Sequence, residues 1–157
     1  MIDIVRLDED FCRWPELLEL ILSSFAYMNG RIDPPSSALN LTPDALKAKA
    51  VAEIGYVALQ DGTIAGCMFL RPEGDCLYLG KLAVAPASQG KGIGRQLLAV
   101  AEAVARERSL ETIRLDTQIE LTGNHAAFAA MGFVRTAEKS HPGFDRVTYV
   151  EMRKPLA

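Results

Sequence analysis

The amino-acid sequence predicts one mixed α/β domain that extends over residues 1–157. The chain has the length of an ordinary single domain, which is enough for a sizeable hydrophobic core. Hydrophobic residues make up 49% and charged residues 24% of the sequence, as in a globular protein. Segments with the spacing of amphipathic helices alternate with segments that have the spacing of strands, and no repeat or linker interrupts them.

The first part of the chain predicts one strand and two helices. Residues 2–7 have the character of a short strand, and apolar side chains at helical spacing predict a helix over residues 14–28. Residues 31–40 are rich in proline and serine and predict a loop. The second helix is predicted to begin after Thr42, which can cap it, with Pro43 at the first helical position.

Strand spacing dominates from residue 55 onward. Residues 56–60 and 63–70 predict a hairpin around the turn pair Asp61-Gly62, and a further turn at residues 72–75 leads to a long apolar strand over residues 76–84. A glycine-rich loop then opens a long helix. The remaining elements are predicted as a strand at 112–117, a short helix at 124–131, and a closing strand pair at 133–137 and 147–152.

The composition argues against several classes of protein. The net charge is −3 and the basic residues are scattered, so we expect neither nucleic-acid nor membrane binding. The three cysteines stand far apart without CxxC spacing, and only two histidines exist, so neither a disulfide framework nor a metal site is predicted. The acidic N-terminal segment does not resemble a signal peptide. We therefore expect a cytoplasmic protein.

The loop before the long helix carries the strongest functional signal. It contains Gln89, Gly90, Lys91, Gly92, Gly94 and Arg95. Glycines allow a ligand to approach the backbone closely, and the first turn of a helix offers unpaired N–H groups and a positive dipole end. This combination favours a phosphate or pyrophosphate ligand, with the two basic side chains adding positive charge. From the glycines alone, a turn that binds nothing also remains open.

Two common phosphate-binding motifs do not fit this loop. A Walker loop would need glycine at Ala85 and serine or threonine at Gly92. A dinucleotide GxGxxG motif would need its third glycine at Arg95 or at Leu97, depending on where it begins. The sequence thus excludes both motifs in their usual form.

The loop resembles the pyrophosphate loop of the GNAT family of N-acetyltransferases, whose pattern is Q/R-x-x-G-x-G/A. Gln89, Gly92 and Gly94 occupy its three positions, after residues 82–86 that are similar to the strand end before that loop in the family. The order of the predicted elements and the Gly-Phe pair at residues 132–133 extend the resemblance over the whole chain. It implies a mixed, mostly antiparallel sheet with a splayed parallel strand pair, flanked by helices.

The resemblance also implies a cosubstrate and its binding residues. Backbone N–H groups of residues 90–95 would hold the pyrophosphate of acetyl-CoA, and the strand end would pair with the pantetheine arm. An N–H group near Leu82 or Ala83 would polarise the acetyl carbonyl. The cofactor-binding residues predicted in this way are Leu82, Ala83, Val84, Gln89, Gly90, Lys91, Gly92, Gly94 and Arg95.

The family's usual catalytic acid is missing from this sequence. Members of the family usually place a tyrosine four residues before the glycine of the Gly-Phe pair, and here that position is Phe128. His125 and Tyr149 are weak substitutes. A histidine such as His125 more often lies on the surface, and an aromatic residue on a strand, such as Tyr149, more often packs in the core. Four carboxylates flank the two splayed strands as candidate bases, and the sequence does not choose among them: Glu73, Asp75, Glu111 and Asp116.

The resemblance implies direct attack of a primary amine on acetyl-CoA. The acceptor, a small molecule or a peptide, would be held by the first two helices and by the loops at residues 31–41 and 141–146. A non-catalytic acyl-CoA-binding sensor on the same fold is the alternative, and a nucleotide-binding module unrelated to CoA is a third possibility. A homodimer is compatible with the resemblance.

Overall fold

The computed structural model describes residues 1–156, within which the chain forms seven strands and four α-helices. The elements in chain order are β1 (Ile2–Arg6), α1 (Trp14–Phe25), α2 (Pro43–Ala52), β2 (Ile54–Gln60), β3 (Thr63–Glu73), β4 (Cys76–Val84), α3 (Ile93–Glu107), β5 (Thr112–Gln118), α4 (Thr122–Ala130), β6 (Val134–Lys139) and β7 (Tyr149–Pro155). No helix of residues 1–156 is long and apolar enough to cross a membrane.

All strands belong to one sheet with the order β1-β2-β3-β4-β5-β7-β6. Among the described residues, β4 and β5 are the one parallel pair, and every other neighbouring pair is antiparallel. The parallel ladder contains three residue pairs and ends at Tyr78 and Arg114, although both strands continue. The sheet therefore divides beyond these residues, which confirms the mostly antiparallel sheet with a splayed parallel pair.

Helices pack on both faces of this sheet. On one face α3 covers a cluster that includes Leu77, Leu97 and Ile113. On the other face α1 and α2 cover a second cluster that includes Leu17, Leu46 and Phe69. The alternating burial of β5, whose Ile113, Leu115 and Thr117 are buried while the residues between them are partly exposed, follows from the period of two in a strand.

Local signals in the sequence fix several of these elements. Thr42 caps α2 as predicted, because its hydroxyl accepts a hydrogen bond from the Ala45 N–H at 3.1 Å. Gly66 allows α3 to approach β3 closely, since a β-carbon at this position would lie 3.0 Å from Ile93 and 3.1 Å from the Ala83 carbonyl oxygen. The start of α3 is thus set directly against the ends of β3 and β4.

Several element boundaries differ from the sequence prediction; β7, for example, begins at Tyr149 and not at residue 147. The first helix was predicted to reach residue 28, but α1 ends at Phe25 and a short 3₁₀ turn follows over residues 26–28. The turn predicted at residues 72–75 is shorter, because β3 extends through Pro72 to Glu73. At Pro72 the pairing with β2 has already ended, so β3 has a partner only on its β4 side there, among the described strands. A strand with one free side accommodates proline.

Candidate active site

A cleft opens where β4 and β5 separate, and its volume is about 1150 Å³. Both strands line it, together with the end of α1, the start of α3, one face of α4 and parts of the loops that follow α1 and β6. The cleft results directly from the short β4–β5 ladder, because no backbone pairing closes the sheet beyond Tyr78 and Arg114. A ligand can therefore reach backbone groups inside the sheet.

The glycine loop forms one end of the cleft. Gly90 and Gly92 have φ values of 81° and 82°, a region that favours glycine, and Gly92 is the residue that precedes the first turn of α3. A β-carbon at either position would meet no atom within 4 Å, so the space above the loop is open. The first N–H groups of α3 lack partners within the helix and face this space with the positive end of the helix dipole.

Two side chains tie the end of β4 to its surroundings. The Val84 carbonyl oxygen accepts hydrogen bonds from the Ser24 hydroxyl at 3.1 Å and from the Gln89 side-chain amide at 3.3 Å. Ser24 lies in the last turns of α1, and Gln89 lies in the glycine loop. Gln89 therefore positions the loop against the strand end.

A β-bulge interrupts β4 beside the cleft. Cys67 pairs with Ala83 and Phe69 pairs with Gly80, so Lys81 and Leu82 together stand opposite a single residue of β3. Lys81 has a φ of 50°, in the left-handed region. A bulge turns backbone groups out of the regular ladder. This bulge includes Leu82, one of the two residues near which the family resemblance implies a carbonyl-polarising N–H group.

Eight of the nine predicted cofactor residues line this cleft. They are Leu82, Ala83, Val84, Gln89, Gly90, Gly92, Gly94 and Arg95. Lys91 is exposed and is not among the lining residues. The loop and the strand end thus form one continuous wall of the cleft.

One face of α4 forms the opposite wall. Asn124, Phe128 and Met131 line the cleft at helical spacing, and Phe128 packs edge-on against Phe133 with ring centroids 5.8 Å apart. The Tyr27 hydroxyl, from the 3₁₀ turn after α1, is hydrogen-bonded to the Asn124 side chain. No local pattern predicts this contact, because the two residues are 97 positions apart in the sequence.

The two catalytic candidates occupy different places. Tyr149 lines the cleft, with its ring 4.7 Å from that of His141. His125 is not a lining residue, and its ring nitrogens contact the Gln118 carbonyl oxygen at 2.9 Å and Arg135 at 3.3 Å. The structure therefore brings Tyr149 to the site and leaves His125 outside it.

Asp116 is the one of the four candidate bases that lines the cleft. Its nearest cation is Arg114, at 3.9 Å from Oδ1, and this buried oxygen has no hydrogen-bond partner among residues 1–156. Burial raises the pKa of Asp116, and the positive charges of Arg114 and Lys139 offset this rise only in part. A carboxylate with these properties can accept both a hydrogen bond and a proton from a ligand.

A charged network holds the strands around Asp116. The Glu151 side chain is 9% exposed, accepts hydrogen bonds from Thr136 at 2.6 Å and Arg153 at 3.1 Å, and bonds to Lys139 at 3.2 Å. Burial alone would raise the pKa of Glu151, but these hydrogen bonds outweigh it and lower the pKa to about 2. The network joins β6 to β7 and, through Arg114, to β5.

Tyr78 lies on the same face as Asp116. Its ring is held between the guanidinium groups of Arg71 and Arg114, at 4.8 Å and 4.6 Å from the ring centroid. Gly80 makes room for it, since a β-carbon there would lie 3.0 Å from the Tyr78 ring. The sequence marked Tyr78 only as part of an apolar strand, so its position in the cleft was not predicted.

The protein resembles solved acetyltransferase structures over its whole length. The PaiA N-acetyltransferase from Thermoplasma acidophilum, in complex with coenzyme A, has a TM-score of 0.80 and 20% identity, covering 99% of each chain. The ribosomal-protein-S18-alanine N-acetyltransferase from Escherichia coli has a TM-score of 0.73 and 19% identity, covering 100% of this chain and 95% of that one. A GNAT acetyltransferase from Elizabethkingia anophelis with acetyl-CoA bound has a TM-score of 0.71 and 20% identity, covering 99% and 98%.

These structural similarities concern the fold, since the identities are low. No curated protein matches the sequence significantly. The family-level comparison is more specific, because residues 14–133 match the description "Acetyltransferase (GNAT) family". This match spans more than half of the chain and includes the glycine loop, both splayed strands and α4. The chain therefore belongs to the GNAT family of acetyltransferases.

Proposed function

We propose that this protein transfers an acetyl group from acetyl-CoA to a primary amine. The observation that carries the proposal is the cleft between β4 and β5, which has the N-terminus of α3 at one end and the Asp116 carboxylate on its wall. The positive N-terminal end of α3 suits a pyrophosphate, and the negative Asp116 carboxylate suits an ammonium group. Membership of the acetyltransferase family supports the same reading.

The residues of the cleft fit acetyl-CoA. The open space above Gly90 and Gly92 leaves room for a pyrophosphate against the first N–H groups of α3, with Arg95 beside it. The unpaired stretch of β4 offers backbone groups to an extended arm that carries amides, in the manner of a missing strand. Bound there, acetyl-CoA supplies an acetyl group activated as a thioester.

The reaction requires two proton transfers and the exchange of a C–S bond for a C–N bond. Asp116 binds the acceptor as an ammonium ion and takes one of its protons, which leaves a nucleophilic amine. The amine nitrogen then attacks the thioester carbonyl carbon, so that a C–N bond forms and the C–S bond breaks. The sulfur leaves as a thiolate with the bonding electron pair, and the second proton of the nitrogen passes to solvent.

Departure of the thiolate does not depend on a tyrosine of α4, because Phe128 has no proton to donate. A thiol has an ordinary pKa of about 8.5, so its anion is a competent leaving group without an acid. Donors from the bulge in β4 would stabilise negative charge on the carbonyl oxygen. These two features make transfer compatible with the substitution at the usual acid position.

The alternative function is a non-catalytic sensor of acyl-CoA, and Phe128 is the observation that favours it. Both an enzyme and a sensor would bind acetyl-CoA, but only the enzyme would transfer its acetyl group to an amine. Acetyl-CoA should raise the melting temperature in both, by an amount that corresponds to about 2.7 kcal/mol at a hundredfold excess over the dissociation constant. A pooled library of primary amines then separates them, because an enzyme releases free CoA faster than hydrolysis alone. Binding without amine-dependent release would establish the sensor.

A further inference from the structure

The Lys81 side chain brings to the cleft a positive charge that forms no salt bridge with any described residue. It lies in the bulge of β4 and lines the cleft. Its ammonium group donates to the Ser37 hydroxyl at 2.6 Å and forms no salt bridge with any described residue. The neighbouring carboxylate of Glu53 is already paired with Lys49 at 2.7 Å. An ammonium group with one neutral partner can still bind an anionic ligand.

Asp116 supplies the opposite charge on the adjacent strand. The last residue pair of the β4–β5 ladder is Tyr78 with Arg114. Asp116 lies two residues after Arg114 on β5, and Lys81 lies three residues after Tyr78 on β4. The two residues thus stand at nearly the same height on either side of the gap in the sheet. Burial lowers the pKa of Lys81, with a further contribution from Lys49, whereas burial raises that of Asp116. A bound anion would raise the pKa of Lys81 again, and a bound cation would lower that of Asp116.

The loops around these two residues favour a small ligand. Ile32, in the loop after α1, and His141, in the loop between β6 and β7, both line the cleft. Arg146 joins these two loops, because its guanidinium donates to the Asp33 carbonyl oxygen at 2.8 Å and lies 3.3 Å from the Asp33 carboxylate. The same guanidinium lies 3.9 Å from Glu120, just beyond β5. These contacts hold the two loops and the end of β5 together beside the cleft, which favours a ligand that fits without moving them.

From this arrangement we propose that the acceptor is a free amino acid, whose ammonium group binds Asp116 and whose carboxylate binds Lys81. The inference rests on the proposed acetyl transfer and adds a substrate class to it. The ammonium loses its proton to Asp116 and becomes the acetylated nitrogen, while the carboxylate stays bound and unchanged. Tyr78, held between Arg71 and Arg114, forms the wall beside the substrate. An amine without a carboxylate would leave Lys81 without its partner.

The test compares matched acceptors that differ only at the carboxylate. Standard amino acids, their carboxamides and the corresponding decarboxylated amines are assayed with acetyl-CoA by release of the free thiol. The wild-type protein should prefer the free acid over its amide by about 10- to 100-fold in kcat/KM, as expected for one charge-assisted contact. Equal or faster turnover of the amides would overturn this inference and leave the proposed transferase activity intact.

Variants of Lys81 show whether this residue is the origin of the preference. Lys81→Gln should raise KM for the amino acid about tenfold or more and leave the amide unchanged, whereas Lys81→Arg should retain the preference. Lys47→Gln removes an exposed lysine of α2 and serves as the control. A preference unchanged in Lys81→Gln would overturn the assignment of Lys81. If acetyl-CoA raises the melting temperature but no acceptor is acetylated, the proposed function itself fails, and this inference with it.

Discussion

The Asn124 side-chain amide donates a hydrogen bond to the Tyr27 hydroxyl at 3.0 Å and so connects α4 to the end of α1 beside the cleft. Asn124 lies one helical turn before Phe128 on the same face of α4. That face therefore presents an amide and an aromatic ring, and the hydroxyl bonded to the amide comes from a distant part of the sequence. This arrangement bears directly on how the leaving thiolate would be protonated.

The first prediction concerns the leaving group. If no side chain protonates the thiolate, the rate of acetyl transfer should depend steeply on the thiol pKa of the acyl donor. Phe128→Tyr should make this dependence shallower, because it places a hydroxyl at the family's usual acid position, and general-acid assistance is typically worth about 10²-fold or more. The measurement is kcat/KM for a series of thioesters with leaving thiols of different pKa.

Tyr27→Phe serves as the comparison variant for this series, since it removes a cleft hydroxyl from another element. Its dependence on thiol pKa should equal that of the wild type. A shallow dependence in the wild type that steepens in Tyr27→Phe, or in Tyr149→Phe, would identify that tyrosine as the acid and refute the interpretation of Phe128.

The second prediction concerns the pH dependence of turnover. Asp116 must be ionised to accept a proton, and burial raises its pKa above the ordinary value of 3.8. The wild-type kcat/KM should therefore fall as the pH decreases through this raised pKa. Asp116→Asn should lower kcat by about 10²-fold or more and remove that acidic limb. Asp75→Asn, at an exposed strand end outside the cleft, should keep the wild-type profile.

The third prediction separates the glycine loop from general stability. Gly94→Val should abolish acetyl-CoA binding, because the side chain would occupy the space in front of the first N–H groups of α3. The variant should fold, since a β-carbon at Gly94 meets only Val84, at 4.0 Å, and the backbone does not require glycine there. Calorimetric titration with acetyl-CoA measures the effect.

Gly123→Val, in the first turn of α4, is the matched control, because a β-carbon at Gly123 meets nothing within 4 Å and this residue does not line the cleft. Gly92→Val is a poorer probe than the sequence alone implies. The backbone at Gly92 has a φ of 82°, which would strain a branched residue placed there. A loss of acetyl-CoA binding in Gly92→Val could then result from a loss of folding. Wild-type affinity in Gly94→Val would place the pyrophosphate elsewhere.

The fourth prediction concerns stability in acid. The pKa of Glu151 is about 2 in the folded protein and about 4.5 when unperturbed, so the unfolded state binds the proton more readily. The stability that Glu151 contributes is therefore present above pH 4.5 and is lost as the pH falls towards 2. Glu151→Gln should reduce the free energy of unfolding at neutral pH by about 1–3 kcal/mol.

Urea unfolding at a series of pH values provides the measurement, and Glu138→Gln, an exposed change on the neighbouring strand β6, is the control. The stability of the Glu151 variant should fall less between pH 4.5 and 2 than that of the control. Parallel curves for the two variants would show that the network around Glu151 does not act through its charge.

The order of elements, and the glycine loop that follows the end of β4, could be predicted from the sequence because both depend on local signals. Thr42 and Pro43 define a helix start by their own chemistry, and the spacing of Gln89, Gly92 and Gly94 reports a loop that belongs to one strand and one helix. The predicted end of β3 was wrong because a strand can contain Pro72 only where its neighbour β2 has already ended. The end of that pairing cannot be predicted from the proline itself.

The residues of the proposed acceptor site could not be predicted for a similar reason. Asp116 was one of four equivalent carboxylates in the sequence, and only the separation of β4 from β5 distinguishes it. Lys81 gave no signal at all, because a lysine inside a strand is ordinarily an exposed residue. Its position follows from a bulge that exists only once β3 and β4 have paired with an unequal number of residues.

The early end of the β4–β5 ladder also leaves part of the β4 backbone without a strand partner on that side. An exposed strand edge can pair with strands of other protein molecules, which is a route to aggregation. Here the free edge lies in the interior of the sheet, between α1 on one face and α3 on the other, with α4 across the gap. The break in the sheet thus provides a strand edge that is enclosed by helices and does not lie at the outer rim of the sheet, where pairing with another sheet would begin.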